Sequence, residues 1–215
     1  MKINLKKATT LLMTALMSLT LAACGAGDSK TTAKQGKDGE NSSKSKILVA
    51  YFSRADENYG VGVIEKGNTR ILAEMIAEKT GADLFEIKPV KAYPKEYTPA
   101  TQVAKVEKEQ NARPEIEGPL PDMSKYDTVF IGYPIWWSDL PMPVYTFIDK
   151  ENFVGKTVIP FCTHEGSGIG STERFIADTT KAKTLEGLEM RGTTAQNSPE
   201  EAKAEVLKWL KKLGY

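Results

Sequence analysis

Polar residues on both sides of the segment 55–66 could together bind an anion. Ser53 and Arg54 precede this segment, and Asn68 and Thr69 follow it. Hydroxyl, amide and guanidinium groups beside the free backbone N–H groups of a helix N-terminus suit a phosphate group. The alternative is that Asn68 and Thr69 only cap the helix. Because no Lys stands at the Walker spacing, we expect no nucleoside triphosphate here.

The stretch YPIWWSDLP, residues 133–141, could hold a flat aromatic ligand. Adjacent residues on a loop point in different directions, so at most one of Trp136 and Trp137 should pack inward. The other is expected to be an exposed apolar plate, and such plates usually mark a binding surface.

The stretch CTHEGSGIGST, residues 162–172, could bring backbone N–H groups close to a ligand because its glycines leave room. Its glycine spacing does not match the dinucleotide fingerprint G-x-G-x-x-G, and Ser167 lacks the flanking residues of a nucleophile elbow. His164 is the only histidine of the chain. It is either a polar loop residue or a direct ligand contact.

The elements around these loops alternate between strand and helix. Predicted strands cover 46–52, 83–89, 127–134, 155–163 and 183–190, with helical patterns between and after them. This alternation predicts an α/β fold, an open doubly wound three-layer sandwich with a five-stranded parallel sheet in the order 2-1-3-4-5. In that order a ligand lies beyond the carboxyl ends of strands one, three and four. The three loops described above stand at those positions.

The expected site therefore has a phosphate pocket at one end and a planar aromatic slot at the other. A mononucleotide with a large ring has this shape, and FMN fits it best. No metal-cluster spacing is present in the sequence. We also expect no conventional catalytic acid–base pair, although His164 could steady negative charge on a reduced ring.

Several segments resemble the flavodoxin-like flavoproteins of bacteria. They are ILVAYFSR…GNTRILAEMIAE, YDTVFIGYPIWWSDLPMPVYTFID, IPFCTHEGSGIGST and, for one branch of that family, AYPKEYTPATQVAKVEKEQNARPEI. The resemblance covers 46–215. It implies FMN as cofactor and phosphate contacts from Ser53, Arg54, Asn68 and Thr69. It also implies ring contacts from two sets of residues: Pro134, Ile135, Trp136 and Trp137 of the second loop, and Thr163, His164, Glu165, Gly166 and Ser167 of the third.

The first loop departs from that family pattern. Family members commonly carry a contiguous S-x-T-G-N-T-like phosphate loop, whereas residues 55–66 interrupt it here. We expect this insertion at the rim of the flavin site, where Asp56, Glu57 and Tyr59 would distinguish the protein from a plain electron carrier.

The resemblance leaves three functions open. The first is electron transfer to an unknown redox partner, the second an NAD(P)H-, quinone- or azo-type reductase. The third, of another class, is a lipoprotein that captures a small aromatic ligand without turnover.

The N-terminal residues predict export and a lipid anchor. Residues 1–23 have the basic start and short apolar run of a signal peptide, and LAAC resembles a lipobox that would make Cys24 the acylated first residue. The alternative is an ordinary Cys24 beside a conventional cleavage site. Residues 24–45 lack large apolar side chains and predict a flexible tether before the domain 46–215. We therefore expect a protein anchored to the outer face of the bacterial cytoplasmic membrane.

The charge balance and the cysteine count bear on nucleic-acid binding and on disulfide formation. The chain has 29 basic and 28 acidic side chains and a net charge of +1. This balance gives no support for nucleic-acid binding. The chain has two cysteines. With Cys24 assigned to lipid, Cys162 has no disulfide partner.

Overall fold

A computed structural model describes residues 46–215 of the chain. The predicted signal peptide (1–23), the lipidated Cys24 and the tether (24–45) lie outside the described residues and stay predictions. Within 46–215, no helix combines the length and the apolar character needed to cross a membrane.

The described residues form eight strands and six α-helices. The strands are β1 (Ile47–Tyr51), β2 (Asp56–Asn58), β3 (Gly62–Ile64), β4 (Asp83–Glu86), β5 (Thr128–Pro134), β6 (Thr157–His164), β7 (Lys183–Thr184) and β8 (Leu188–Arg191). The helices are α1 (Asn68–Thr80), α2 (Tyr97–Glu109), α3 (Met142–Lys150), α4 (Thr172–Thr180), α5 (Gly192–Asn197) and α6 (Pro199–Leu213).

The central sheet is parallel and runs in the order β4-β1-β5-β6, with β7 and β8 both paired to the far side of β6. This confirms the predicted order 2-1-3-4-5, because β1, β4, β5 and β6 are the first four predicted strands. The fifth predicted strand is divided between β7 and β8. Where the chain leaves the ladder, the Trp209 indole donates to the Glu186 carbonyl at 3.0 Å and the Gly187 N–H donates to Glu173 at 3.1 Å. These bonds satisfy backbone groups that strand pairing does not use.

Two hydrophobic cores cover the two faces of the sheet. Alternation along β1 sends Leu48 and Ala50 to the core beneath α3 and α4, and Val49 and Tyr51 to the core beneath α1, α5 and α6. Both faces of the central strands are buried, as expected for a parallel sheet with helices on each side. The three-layer sandwich predicted from the sequence is thereby confirmed.

A separate antiparallel hairpin, β2–β3, lies between β1 and α1. It is formed by the insertion 55–66. The sheet brings the carboxyl ends of β1, β5 and β6 to one edge, and the hairpin lies at that same edge.

Candidate functional site

The two halves of the predicted phosphate loop are adjacent in space. The Ser53 hydroxyl accepts a hydrogen bond from the Arg70 N–H at 3.1 Å, although the insertion separates them in sequence. Gly67 is the N-cap of α1, and a Cβ at this position would overlap the Ser53 hydroxyl and the Arg54 carbonyl. The close approach of the two segments therefore depends on glycine at this position.

The N-terminus of α1 retains the donors that an anion needs. Asn68 and Thr69 are its first two residues, and within residues 46–215 their backbone N–H groups have no protein acceptor. These groups carry the positive end of the dipole of a 13-residue helix. The site thus fits a phosphate group by the donors it offers.

Neither of these side chains caps the helix, so the capping alternative does not hold. The Asn68 Oδ1 accepts from the Gln196 side chain at 2.9 Å, which ties α1 to α5. The Thr69 hydroxyl lies 2.8 Å from the Thr163 hydroxyl, and both residues are buried. This pair links the start of α1 to the end of β6.

Arg54 occupies a position that the sequence did not reveal. Its guanidinium donates to the backbone carbonyls of Glu57, Pro94 and Lys95, with Nη2 at 2.8 Å from the Pro94 oxygen. Burial lowers the pKa of Arg54, and the charges of Asp56 and Glu57 work against this shift. Its donors are engaged by carbonyls in this arrangement, and a phosphate contact from Arg54 stays a prediction.

The inserted hairpin is tied to the N-terminus of α2. Glu57 accepts a hydrogen bond from the Tyr97 N–H at 2.8 Å through its carboxylate, and its own N–H donates to the Lys95 carbonyl at 3.1 Å. A carboxylate at a helix N-terminus is stabilised by the free N–H groups there. Asn58 closes the base of the hairpin through its bonds to the carbonyls of Arg54 and Ala55, both at 3.2 Å.

The two tryptophans stand in a tight turn that ends β5. Trp136 and Asp139 exchange both of their backbone hydrogen bonds, at 2.9 and 3.0 Å, around Trp137 and Ser138. Both central residues have positive φ, 51° and 59°, which is uncommon for residues other than glycine. Such backbone strain concentrates at functional sites.

The turn separates the tryptophans as the sequence predicted. Trp136 is half-buried and meets Phe52 and Tyr93 edge-on, with ring centroids 5.1 and 4.9 Å apart. Trp137 remains 49% exposed. Its indole N–H donates to the Thr101 carbonyl of α2 at 2.8 Å, which fixes the orientation of the ring.

Three contacts made by two lysines of α2 hold the turn against that helix. Lys105 Nζ lies 5.7 Å from the centroid of the Trp137 ring. Lys108 donates to the Trp137 carbonyl at 2.7 Å and approaches the Asp139 carboxylate at 3.2 Å. The exposed Trp137 ring is therefore held in a defined position.

In the third loop, Gly166, Gly168 and Gly170 all have positive φ. The Ile169 N–H donates to the Glu189 carboxylate at 2.7 Å, which fastens the loop to β8. The Ser167 hydroxyl makes one weak contact, 3.4 Å from the Gly168 carbonyl oxygen.

His164 and Glu165 have different electrostatic roles. The Gly166 N–H donates to Nδ1 of His164 at 2.9 Å, and burial lowers the pKa of the imidazole. Arg191 lowers that pKa further, while Glu189 and Glu165 oppose the shift. The Glu165 carboxylate caps α5, because it accepts from the N–H and hydroxyl of Thr193 at 2.7 and 3.1 Å.

These elements enclose a cavity of about 410 Å³, within the range of small-molecule sites. Most of the predicted contacts line it: Arg54, Asn68, Pro134, Ile135, Trp136, Trp137, Thr163, His164 and Glu165. Ser53, Thr69, Gly166 and Ser167 do not reach its wall. For Ser53 and Thr69, the hydrogen bonds described above explain this placement.

Sequence reasoning missed the wall of the cavity that α2 forms. The lining residues of α2 are Tyr97, Ala100, Thr101 and Ala104. Of the insertion residues predicted at the rim, Tyr59 lines the cavity together with Asn58, whereas Asp56 and Glu57 do not. The α2 residues follow i, i+3, i+4, i+7 spacing, so they share one helical face. The small residues on that face could have indicated this wall in the sequence, since they leave room for a ligand beside the helix.

The comparisons with known proteins agree with this architecture. The flavodoxin family model matches residues 46–213. A candidate flavoprotein from Bacteroides eggerthii is 31% identical, with a TM-score of 0.63 over 80% of this chain and 99% of that one. One from Bacteroides uniformis is 31% identical, with a TM-score of 0.61 over 78% and 98%.

A more distant likeness extends to a flavoprotein from Lactobacillus acidophilus in complex with FMN. It is 20% identical, with a TM-score of 0.52 over 71% of this chain and 97% of that one, which shows a shared fold. Comparison with curated proteins gives no significant match.

Proposed function

This chain belongs to the flavodoxin family, and we propose that it is an FMN-dependent electron-transfer protein held by lipid at the outer face of the cytoplasmic membrane. FMN, when bound, supplies hydride or single-electron transfer, and the protein supplies binding and electrostatics. The described residues must then provide a phosphate site and a ring site in one cavity.

One observation carries the cofactor assignment. The backbone N–H groups of Asn68 and Thr69 at the start of α1 have no acceptor within residues 46–215, and Asn68 lines the same cavity as Trp137. A ligand that satisfies both features has an anionic group and a planar ring on one molecule. The phosphate end would be held by the α1 amides, with Ser53 supporting their position through Arg70.

The ring end would be held by the second and third loops. Trp137 offers a plate whose orientation the Thr101 carbonyl sets. His164 is a neutral imidazole with its proton on Nε2, because Nδ1 already accepts the Gly166 N–H. It can therefore donate a hydrogen bond to a ring atom without adding a positive charge.

The proposed location rests on the first 24 residues of the sequence. Their basic start, apolar run and LAAC motif support export and acylation of Cys24. Metabolic labelling with a radioactive fatty acid tests this directly. We expect label in the wild type and none in a Cys24→Ala variant, and label in that variant would reject the anchor.

A second candidate function, a flavin reductase for small aromatic acceptors, is favoured by the walls of the cavity. The inserted hairpin and α2 line the cavity together with Trp137, and a small aromatic acceptor needs such a walled space beside the flavin ring. Stopped-flow reduction separates the two functions. Rapid reduction of bound flavin by NADH or NADPH, followed by reoxidation with a quinone, would identify a reductase.

Visible absorption of the purified protein tests the cofactor. We expect a yellow protein, or a colourless one that becomes yellow with added FMN and retains it through gel filtration. A protein that stays colourless after FMN addition would reject the redox function and leave the capture of another aromatic ligand.

A further inference from the structure

The cavity carries an aromatic pair at its mouth that neither ring loop provides. Tyr59 of the hairpin and Tyr97 of α2 both line the cavity, and their ring centroids are 5.9 Å apart at an interplanar angle of 35°. Tyr59 is 64% exposed and Tyr97 36% exposed. Two neighbouring aromatic rings left open to solvent form a surface that a planar ligand can cover.

The third loop offers no such surface. Residues 163–171 contain no Phe, Tyr or Trp. Trp137 is the exposed aromatic of the second loop, since Trp136 packs against Phe52 and Tyr93. Besides the two tryptophans and the His164 imidazole of the ring loops, the aromatic side chains that line this cavity are Tyr59 and Tyr97.

We propose that the inserted hairpin and α2 provide Tyr59 and Tyr97 as a second aromatic contact for the flavin ring, and that Arg54 is the residue that positions this pair. The inference rests on the proposed function, because it assigns residues to the flavin site. It gives the insertion 55–66 a role in flavin binding.

Arg54 joins the two segments that carry the tyrosines. One arm of its guanidinium donates to the Glu57 carbonyl in the hairpin. The rest of the group donates to the carbonyls of Pro94 and Lys95, just before Tyr97 begins α2. Because the planar guanidinium holds donors in a fixed fork, Lys cannot reproduce these contacts although it keeps the charge.

The Arg54→Lys substitution can therefore distinguish a positioning role of Arg54 from a contact between Arg54 and the phosphate. A phosphate contact from Arg54 would act on FMN alone, so its loss in Arg54→Lys would leave the affinity for riboflavin unchanged, because riboflavin has no phosphate. Loss of the fork would instead disturb the tyrosine pair, and FMN and riboflavin would weaken together.

The experiment titrates the purified apoprotein with FMN and with riboflavin and follows flavin fluorescence and absorption. We expect Tyr59→Leu and Tyr97→Leu each to weaken both flavins about tenfold, as loss of a stacked aromatic does, and to restore part of the quenched fluorescence. Tyr59→Phe is the matched control and should bind like the wild type. Arg54→Lys should weaken both flavins by a similar factor.

Any one of three results would overturn the inference. The first is wild-type affinity and quenching in both Leu variants. The second is an Arg54→Lys variant that binds both flavins normally. The third is an Arg54→Gln variant that loses FMN affinity while it keeps its affinity for riboflavin. Circular dichroism spectra and urea unfolding of each variant establish that it is folded. A wild-type protein that binds neither flavin would reject the proposed function itself.

Discussion

The backbone N–H of Gly166 donates to Nδ1 of His164 at 2.9 Å. Protonation at Nδ1 would replace this acceptor with a second donor facing the same N–H group. The hydrogen bond therefore acts in the same direction as burial, which lowers the pKa of His164. At neutral pH the side chain is an uncharged donor through Nε2.

We predict a titration of His164 below the ordinary value of 6.5. Because the chain has one histidine, the imidazole resonances in a proton NMR spectrum report on this residue alone. The unfolded protein in urea serves as the control and should titrate near 6.5. A native pKa at or above that of the unfolded protein would contradict the predicted tautomer.

The same shift predicts how stability depends on pH. Below 6.5 the unfolded state binds a proton at His164 that the native state binds less readily, so the free energy of unfolding falls as pH decreases from 6.5 toward the lowered native pKa. Above 6.5 this contribution is fully present. His164→Asn keeps a potential acceptor for the Gly166 N–H but does not titrate. Its stability should vary less with pH in that window, and an identical pH profile would contradict the assignment.

Gly67→Ala should damage the phosphate end of the site selectively. The added Cβ would overlap the Ser53 hydroxyl and the Arg54 carbonyl, and these atoms must then separate. We expect FMN affinity to fall at least tenfold and riboflavin affinity to change little. Gly81→Ala is the control, because it strains a left-handed C-cap in open space and should cost about 1 kcal/mol of stability without altering flavin preference. Equal losses of affinity for FMN and riboflavin in Gly67→Ala would show that the substitution does not act on the phosphate end of the site.

The buried hydroxyl pair of Thr69 and Thr163 allows a double-mutant cycle. Each single change to Val leaves one buried hydroxyl without its partner, which costs about 1–3 kcal/mol. The double change removes both hydroxyls and should recover much of that loss. Urea unfolding of the apoproteins measures the three values. Strictly additive effects would show that the two hydroxyls do not interact.

Cys162 should be unreactive in the folded protein. It is fully buried, and burial raises the pKa of its thiol, with Glu189 and Glu173 acting in the same direction. In a Cys24→Ser variant Cys162 is the sole thiol, and we expect no reaction with Ellman's reagent until guanidinium chloride is added. Rapid reaction under native conditions would contradict this burial.

The arrangement of the three loops at one sheet edge could be predicted from the sequence. Continuous apolar runs such as ILVAY identify buried parallel strands, and the alternation with helices restricts their order. The loops after β1, β5 and β6 must then meet at one edge. The separate directions of Trp136 and Trp137 could be predicted in the same way, since neighbours on a turn cannot both face inward.

The partners of individual polar side chains could not be predicted. Arg54 could have reached a phosphate or a carbonyl, and the choice depends on the hairpin that brings Glu57 close to Pro94. Similarly, the capping of α5 by Glu165 requires the position of Thr193, far along the chain. Such choices depend on long-range packing, which a local pattern does not contain.

The division of the fifth strand into β7 and β8 interrupts the outer edge of the sheet. A continuous outer strand would present a row of free N–H and C=O groups on which another chain could add a strand. Here residues 185–187 interrupt that row, and the exposed side chains of Lys183, Glu189 and Arg191 flank the break. This edge of the sheet is thus protected against edge-to-edge aggregation. Such protection matters most where many copies of a protein are crowded together.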